Sequence, residues 1–498
     1  MTAPRRIRLH EPQLGKHEVV FGWDVTPRSS LYCRTNFRLE FAPQVAAERV
    51  PDALWLRLMM LCLYPHWALM APCRVDLPAR LEPGERDFWL RLIEAAAVNL
   101  EQYGRDASGD RTVELVECGP PLPPTVLSDG NQRVTAAYSG GKDSLVQTAL
   151  LAELTEQPLL VTTTSPVRWA NDHRGAARQR ALDGITQRRG LDVVEIRSDF
   201  RSCWDNNHPL LSGCTIRVNE LCDVLLYQAT ALAVAAANRI SRAFLASEAD
   251  LQTNVRRGGM VVQHSHFASS AVTQTAVSAL MRPFGIALGS LLYPLHMHQV
   301  MALLWRRYPD LADLQFSCWQ AENGEQACGR CGQCAQVAVA VLSEGHSPTA
   351  VGIDPLRLLR ADATWQDTRR RGAQRAAERS GRNNYERWIR DTPTSAVKAI
   401  LTADPLVPDD GVMRALAVYD RIRRREMRRP APPPGGYIRG FLDFIDPDLR
   451  GGLESIFDEH LDAAPDEDFT AVVGRSRVLA DWIAAPLEHD RQRAALAA

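Results

Sequence analysis

The stretch AAYSGGKDSLVQTALLAEL, beginning at Ala136, places the strongest limit on what this chain can fold into. VTAAY (134–138) reads as a short strand, and DSLVQTALLAEL as the helix that leaves it. Between them, Gly140 and Gly141 let the backbone approach an anion and adopt positive φ where needed. A tight turn would be satisfied by the glycines alone, so Ser139, Lys142, Asp143 and Ser144 call for another reason. A helix starting near Asp143 aims free N–H groups and the positive end of its dipole into the loop. The two serines add hydroxyl donors and Lys142 adds charge. Asp143 would be repelled by phosphate, so it needs a partner, either a bound Mg²⁺ or an N-cap bond. The loop is read as a phosphate-binding site.

The residues that follow set the fold class. LLVTTTS, DVVEIRSD and RAFLASEAD read as further strands. HRGAARQRALDGITQRRG and NELCDVLLYQATALAVAAANRI read as the helices between them. Such alternation predicts an α/β doubly wound parallel sheet, with ligands at the carboxyl ends of its strands. This unit is assigned to 133–345. Residues 1–128 carry strand-like runs (EVVFGWDVT, FRLEFAP, RTVELVE) and a helical DFWLRLIEAAAVNLEQY, and are expected to form an N-terminal α+β domain. PPLPPTVLSDGNQ (120–132) reads as a linker. Residues 346–498 are helical in period and rich in arginine, and form the third unit.

The basic residues number 58, of which only Lys16, Lys142 and Lys398 are lysine. A chain that uses arginine nearly everywhere has lysine in the glycine loop. A compact ammonium reaches a phosphate in a crowded loop where a planar guanidinium does not.

Formal net charge is −1, so no overall field draws the protein to nucleic acid or to a membrane. The arginine runs RRRGAQRAAERSGR (369–382) and RIRRREMRR (421–429) lack interleaved aromatics and read as solvated faces or protein interfaces. The segment FDEHLDAAPDEDF could neutralise them. The opening residues lack the apolar core of a signal peptide, and Leu54–Cys73 is broken by Arg57, Pro65 and His66. A cytoplasmic location without membrane spans is expected.

Of eleven cysteines, Cys318, Cys328, Cys331 and Cys334 form C-x9-C-x2-C-x2-C. Four thiolates at this spacing suit a tetrahedral Zn²⁺ with no position left for water, hence a structural site. An iron–sulfur cluster or unligated core thiols are the other readings.

The loop is neither a Walker P-loop nor a dinucleotide fingerprint. S-G-G-x-D-S after a strand resembles the PP-loop of the ATP pyrophosphatase superfamily. With the cysteine knuckle, residues 134–340 look like the 7-cyano-7-deazaguanine synthase (QueC) family. The resemblance implies that Ser139, Gly140, Gly141, Lys142, Asp143 and Ser144 bind ATP, with Lys142, Asp143 and Ser144 catalytic, and that Mg²⁺ and a structural Zn²⁺ are present. The reaction it implies is adenylation of 7-carboxy-7-deazaguanine followed by attack of an amine.

Arg217 and Asn219, in IRVNELCDVLLYQATALA, resemble the family's Arg-Asn segment, although Val218 separates them here and the family's preceding glycine is missing. Glu248 and Asp250, in FLASEAD, resemble the acidic strand end beside the substrate, where a carboxylate can accept from guanine-type N–H groups. For each, a strand-end carboxylate in a salt bridge is the plainer reading. HMH (296–298) is not read as a metal site, because residues two apart do not share a helix face.

About 130 residues before and 150 after the family core go beyond a minimal synthase. Long relatives of this build are associated with the antiphage systems Qat and type IV CBASS. There the deazaguanine carboxylate is thought to pass to a protein's N-terminal amine. The leading expectation is therefore an ATP-dependent deazaguanine ligase acting on a partner protein, with a homodimer allowed for. A free synthase using ammonia, a non-catalytic nucleotide or nucleic-acid binding scaffold, and a different PP-loop enzyme are the alternatives.

Overall fold

The computed structural model describes residues 5–101, 110–122, 131–165, 174–205, 208, 221–252, 254–257, 260–263, 267–318, 321, 325–355, 388–428 and 436–497. Among these, the chain-ordered strands are β1 (Arg5–Leu9), β2 (Gln13–Leu14), β3 (Glu18–Thr26), β4 (Asn36–Phe41), β5 (Cys73–Leu77) and β6 (Val113–Glu117). They continue with β7 (Asn131–Ala137), β8 (Leu159–Thr164), β9 (Val193–Ser198), β10 (Ile240–Phe244), β11 (Asn254–Arg257), β12 (Met260–Gln263) and β13 (Ala287–Gly289).

Eleven of them form one sheet in the order β13-β10-β7-β8-β9-β4-β3-β1-β5-β6, with β2 on β3. The five strands from β13 to β9 are all parallel. Their residues alternate between two cores. Val134, Ala136 and Leu160 join the cluster that holds Leu145, Leu150, Leu182 and Ile185 of the helices Lys142–Leu154 and Arg174–Arg189. Leu159, Val161, Val194 and Ile196 join the other cluster, with Leu225 and Leu232 of Asp223–Ala237 and Val277 of Ala271–Met281. Both faces of this half are therefore covered by helices, as a buried parallel sheet requires.

The chain runs β7, β8, β9 to one side and then returns to place β10 on the other side of β7. The strand order reverses between β7 and β10. In open α/β sheets such a reversal opens a crevice at the carboxyl ends of the strands, where ligands bind.

The first 120 residues do not make a sheet of their own. β4 pairs antiparallel with β9, Leu39 opposite Ser198 and Phe41 opposite Ile196, so their strands continue the same sheet. The 120–132 linker expected from sequence lies largely outside the described residues, and Asn131 already belongs to β7.

The apolar run noted from sequence is the helix Asp52–Met70, long and apolar enough by length and composition to cross a membrane, yet wholly buried inside the fold. Pro51 precedes it, Asp52 sits in its first turn, and apolar residues surround its axis, the pattern of a core helix. Arg57, which interrupts the run, is 1% exposed and bonded to Glu85 at 2.7 Å and to the Ala53 carbonyl at 2.9 Å. A buried charge is tolerable only when paired in this way.

Among the described residues, the C-terminal part holds the helices Thr394–Ala403, Asp409–Met427, Pro447–His460 and Asp466–Ala497. Phe441, Phe457 and Tyr437 share a core with Leu291 and Tyr293 of the parallel half. Most of the second arginine run lies on the helix Asp409–Met427, whereas 369–382 falls outside the described residues.

Candidate functional site

The glycine loop sits where β7 ends and the helix Lys142–Leu154 begins, with Gly141 at the N-cap. Gly140 has φ of +81°, a left-handed conformation that strains any residue with a Cβ. A Cβ there would also stand 3.1 Å from the Ala181 Cβ. Ser144 Oγ donates to the Gly141 carbonyl at 3.0 Å and accepts from Ser139 N at 3.3 Å. The two serine hydroxyls are 3.3 Å apart. The loop is thus closed on itself, with no side chain on the N-cap residue to compete for the first helical N–H groups.

A second segment supports it. Phe316 N donates to the Gly140 carbonyl at 2.7 Å, and Ser317 Oγ accepts from Lys142 N at 3.5 Å. The next residue is Cys318. The strut that leads into the cysteine cluster therefore also fixes the glycine loop.

Lys142 is 4% exposed. Its Nζ lies 2.5 Å from Asp143 Oδ1 and 3.3 Å from Glu248 Oε2. Burial opposes its charge, but Asp143 and Glu248 outweigh that and hold its pKa above the ordinary lysine value. One cation then serves two carboxylates. Burial, reinforced by Asp143 and opposed by Lys142, pushes Glu248 well above the usual carboxylate range. Glu248 follows β10 as Lys142 follows β7, so their contact spans the crevice at which the strand order reverses.

The relative position of the two loops is set by a buried polar network. Gln147, on the helix leaving the glycine loop, accepts from Ser290 Oγ and from Leu291 N, both at 3.2 Å. Ser290 Oγ accepts from Ser247 N at 3.0 Å. A single fully buried glutamine thereby ties together the exits of β7, β10 and β13.

Asp250 is engaged elsewhere. Its Oδ1 is 2.8 Å from His296 Nδ1, and its Oδ2 accepts from Met297 N at 3.1 Å. Burial would raise its pKa, but these partners, His296 foremost, hold it at about 2. His296 is the N-cap of the helix Met297–Arg306, outside the helix proper. Helix-face geometry therefore does not separate it from His298; the rings stack at 5.8 Å with planes 12° apart. The sequence reading of these two as residues on a common helix is corrected by that position. Arg217 and Asn219 lie outside the described residues.

Cys318, Cys328, Cys331 and Cys334 converge, all buried, with their sulfurs within 4.8 Å of one another. Cys318–Cys331, Cys328–Cys334 and Cys331–Cys334 sulfur pairs are 3.9, 3.8 and 3.5 Å apart. A tetrahedron with Zn–S of about 2.3 Å has edges of about 3.8 Å. Backbone N–H groups of Cys328, Arg330 and Cys334 point at the sulfurs of Cys318, Cys328 and Cys331 at 3.3, 3.5 and 3.4 Å, which offsets thiolate charge. The quartet can hold a metal ion, and it is the one such group of three or more ligands found among the described residues.

Phe316, Ser317 and His296 were missed as site residues in the sequence. The first two had no signal beyond standing just before Cys318. His296 was visible within HMH, but its link to Asp250, 46 residues away, was not. The chain matches no protein-family model, no curated protein and no solved structure.

Proposed function

We propose that this chain is an ATP-dependent C–N ligase of the QueC-like PP-loop type. It adenylates 7-carboxy-7-deazaguanine and transfers the acyl group to an amine, that of a partner protein's N-terminus in a cytoplasmic antiphage system. The observation that carries this reading is the meeting of Lys142 and Glu248 across the β7/β10 crevice, directly behind a glycine loop at a helix N-terminus.

In this reading, Ser139–Ser144 bind the pyrophosphate portion of ATP. Lys142 exchanges its carboxylate partners for phosphate oxygens and offsets the charge that develops on the departing pyrophosphate. Asp143, partly exposed beside it, is the group that would meet an accompanying Mg²⁺. Glu248 is left as the acceptor for the N–H edge of the base, since Asp250 is occupied by His296 and Met297 N. The substrate carboxylate attacks the α-phosphorus, so no protein nucleophile is required. The cysteine quartet would hold Zn²⁺ with all four positions filled by sulfur, which braces the Phe316–Ser317 strut rather than reacting. The extensive segments on either side of 133–345 favour a macromolecular acceptor, held close to the activated acyl group.

Intact-mass spectrometry of the protein co-expressed with its genomic neighbours, with and without 7-carboxy-7-deazaguanine, tests this. A neighbour that gains one deazaguanine amide, lost on Asp143→Ala, is the expected result. Nitrile formed from ammonia with no protein adduct would return the chain to small-molecule synthesis. No ATP turnover at all would leave a binding scaffold.

A further inference from the structure

Transfer to an amine leaves one proton to be removed, and none of the loop residues is placed to take it. Lys142 is charged, Asp143 is bonded to it, and Glu248 is driven toward its neutral form. A carboxylate–imidazole pair begins two residues after Glu248. Asp250 is ionised and bonded to His296 Nδ1 at 2.8 Å. An ionised carboxylate only accepts, so Nδ1 carries the hydrogen of this bond, and Nε2 is the ring nitrogen that takes up a proton whenever the ring is neutral. This is the carboxylate–imidazole arrangement that orients a general base.

The ring is well fixed. His296 N donates to Gln299 Oε1 at 2.8 Å, which locks the N-cap, and the side chain remains 18% exposed. Its other neighbours are the His298 ring and the Phe469 ring, the latter at 6.0 Å. Phe469 also lines a cavity of about 470 Å³ together with Ile438, Val473 and the charged Arg439, Asp443 and Arg477. That cavity belongs to the C-terminal segment, outside the ATP-loop core, and Ile438 N is hydrogen-bonded to the Pro294 carbonyl two residues before His296. The Phe469 ring thus stands both beside His296 and in the wall of a cavity built by the C-terminal part.

We infer that His296, oriented by Asp250, is the general base of the transfer step, and that the Phe469-lined cavity admits the amine. This rests on the ligase reading above. The amine nitrogen attacks the acyl carbon of the adenylate; the C–N bond forms, the bond to the AMP oxygen breaks, and AMP leaves with that electron pair. The surplus proton on nitrogen passes to His296 Nε2 and from there to solvent.

The test separates the two half-reactions. Purified full-length protein is given ATP and 7-carboxy-7-deazaguanine, and three readouts are taken: pyrophosphate exchange, hydroxamate formed with hydroxylamine, and amide formed with ammonium or glycinamide. Hydroxylamine is unprotonated at neutral pH and attacks without help from a base. His296→Gln is expected to keep exchange and hydroxamate formation near wild type while amide formation falls roughly 10²-fold or more. Asp250→Asn should show the same selective loss, smaller in size. Retained hydroxamate formation also shows that either variant is folded. Amide formation unchanged in His296→Gln, or lost in proportion with exchange, overturns the inference. Absence of exchange in the wild-type protein overturns the ligase reading, and the inference with it.

Discussion

Lys142 Nζ and Glu248 Oε2 lie 3.3 Å apart although 106 residues separate them in the chain, each placed by the end of a neighbouring parallel strand. The contact couples the loop expected to bind phosphate to the one expected to read the base.

Lys142→Arg should not rescue function. The site is 4% exposed and already holds two carboxylates, so a wider planar cation must displace one of them. Pyrophosphate exchange is expected to fall at least about tenfold for Arg and about 10²–10³-fold for Lys142→Met. Equal activity of the Arg variant would show that a general positive charge suffices.

Gly140→Ala should destabilise the protein by about 1–2 kcal/mol, the cost of a left-handed φ in a residue with a Cβ. Contact with Ala181 Cβ adds to it. Urea unfolding gives the number, and an unchanged midpoint would mean that the loop relaxes to another conformation.

The Asp250 pKa has a defined pH signature. It is lowered from 3.8 to about 2, so the stability it contributes is present above the unfolded value and lost as pH falls through that window. The span corresponds to about 2 kcal/mol. Asp250→Asn should therefore be less stable than wild type at pH 6, with the gap narrowing as pH approaches 2. A gap independent of pH would place the effect of the substitution in packing.

One zinc per chain is expected by elemental analysis, and Cys331→Ser should lose it. The Phe316 N to Gly140 carbonyl bond transmits that loss, so exchange activity should fall together with the melting temperature. Metal loss with full exchange activity would show that the strut holds without the knuckle.

Much of the parallel half was legible in sequence because its signals are local. A strand, a glycine loop and a helix within 24 residues, and four cysteines within 17, carry their own geometry. What could not be read comes from pairing between distant segments. The β4–β9 seam joins Phe41 to Ile196, and nothing in either run names its partner. The helix Asp52–Met70 was apolar enough to notice, yet its place in the core depends on Glu85 meeting Arg57. The links of Ser317 to Lys142 and of His296 to Asp250 became visible only in the fold.

The same seam bears on how this protein can be taken apart. Removing the first 128 residues would leave β9 with a bare hydrogen-bonding edge and an apolar face where β4 had been, the kind of surface on which chains stick to one another. An inactive or clumping fragment of that sort would report on a torn sheet and not on how an acceptor is recognised. Substitutions around the Phe469 cavity, which leave every strand in place, are the means of asking that question.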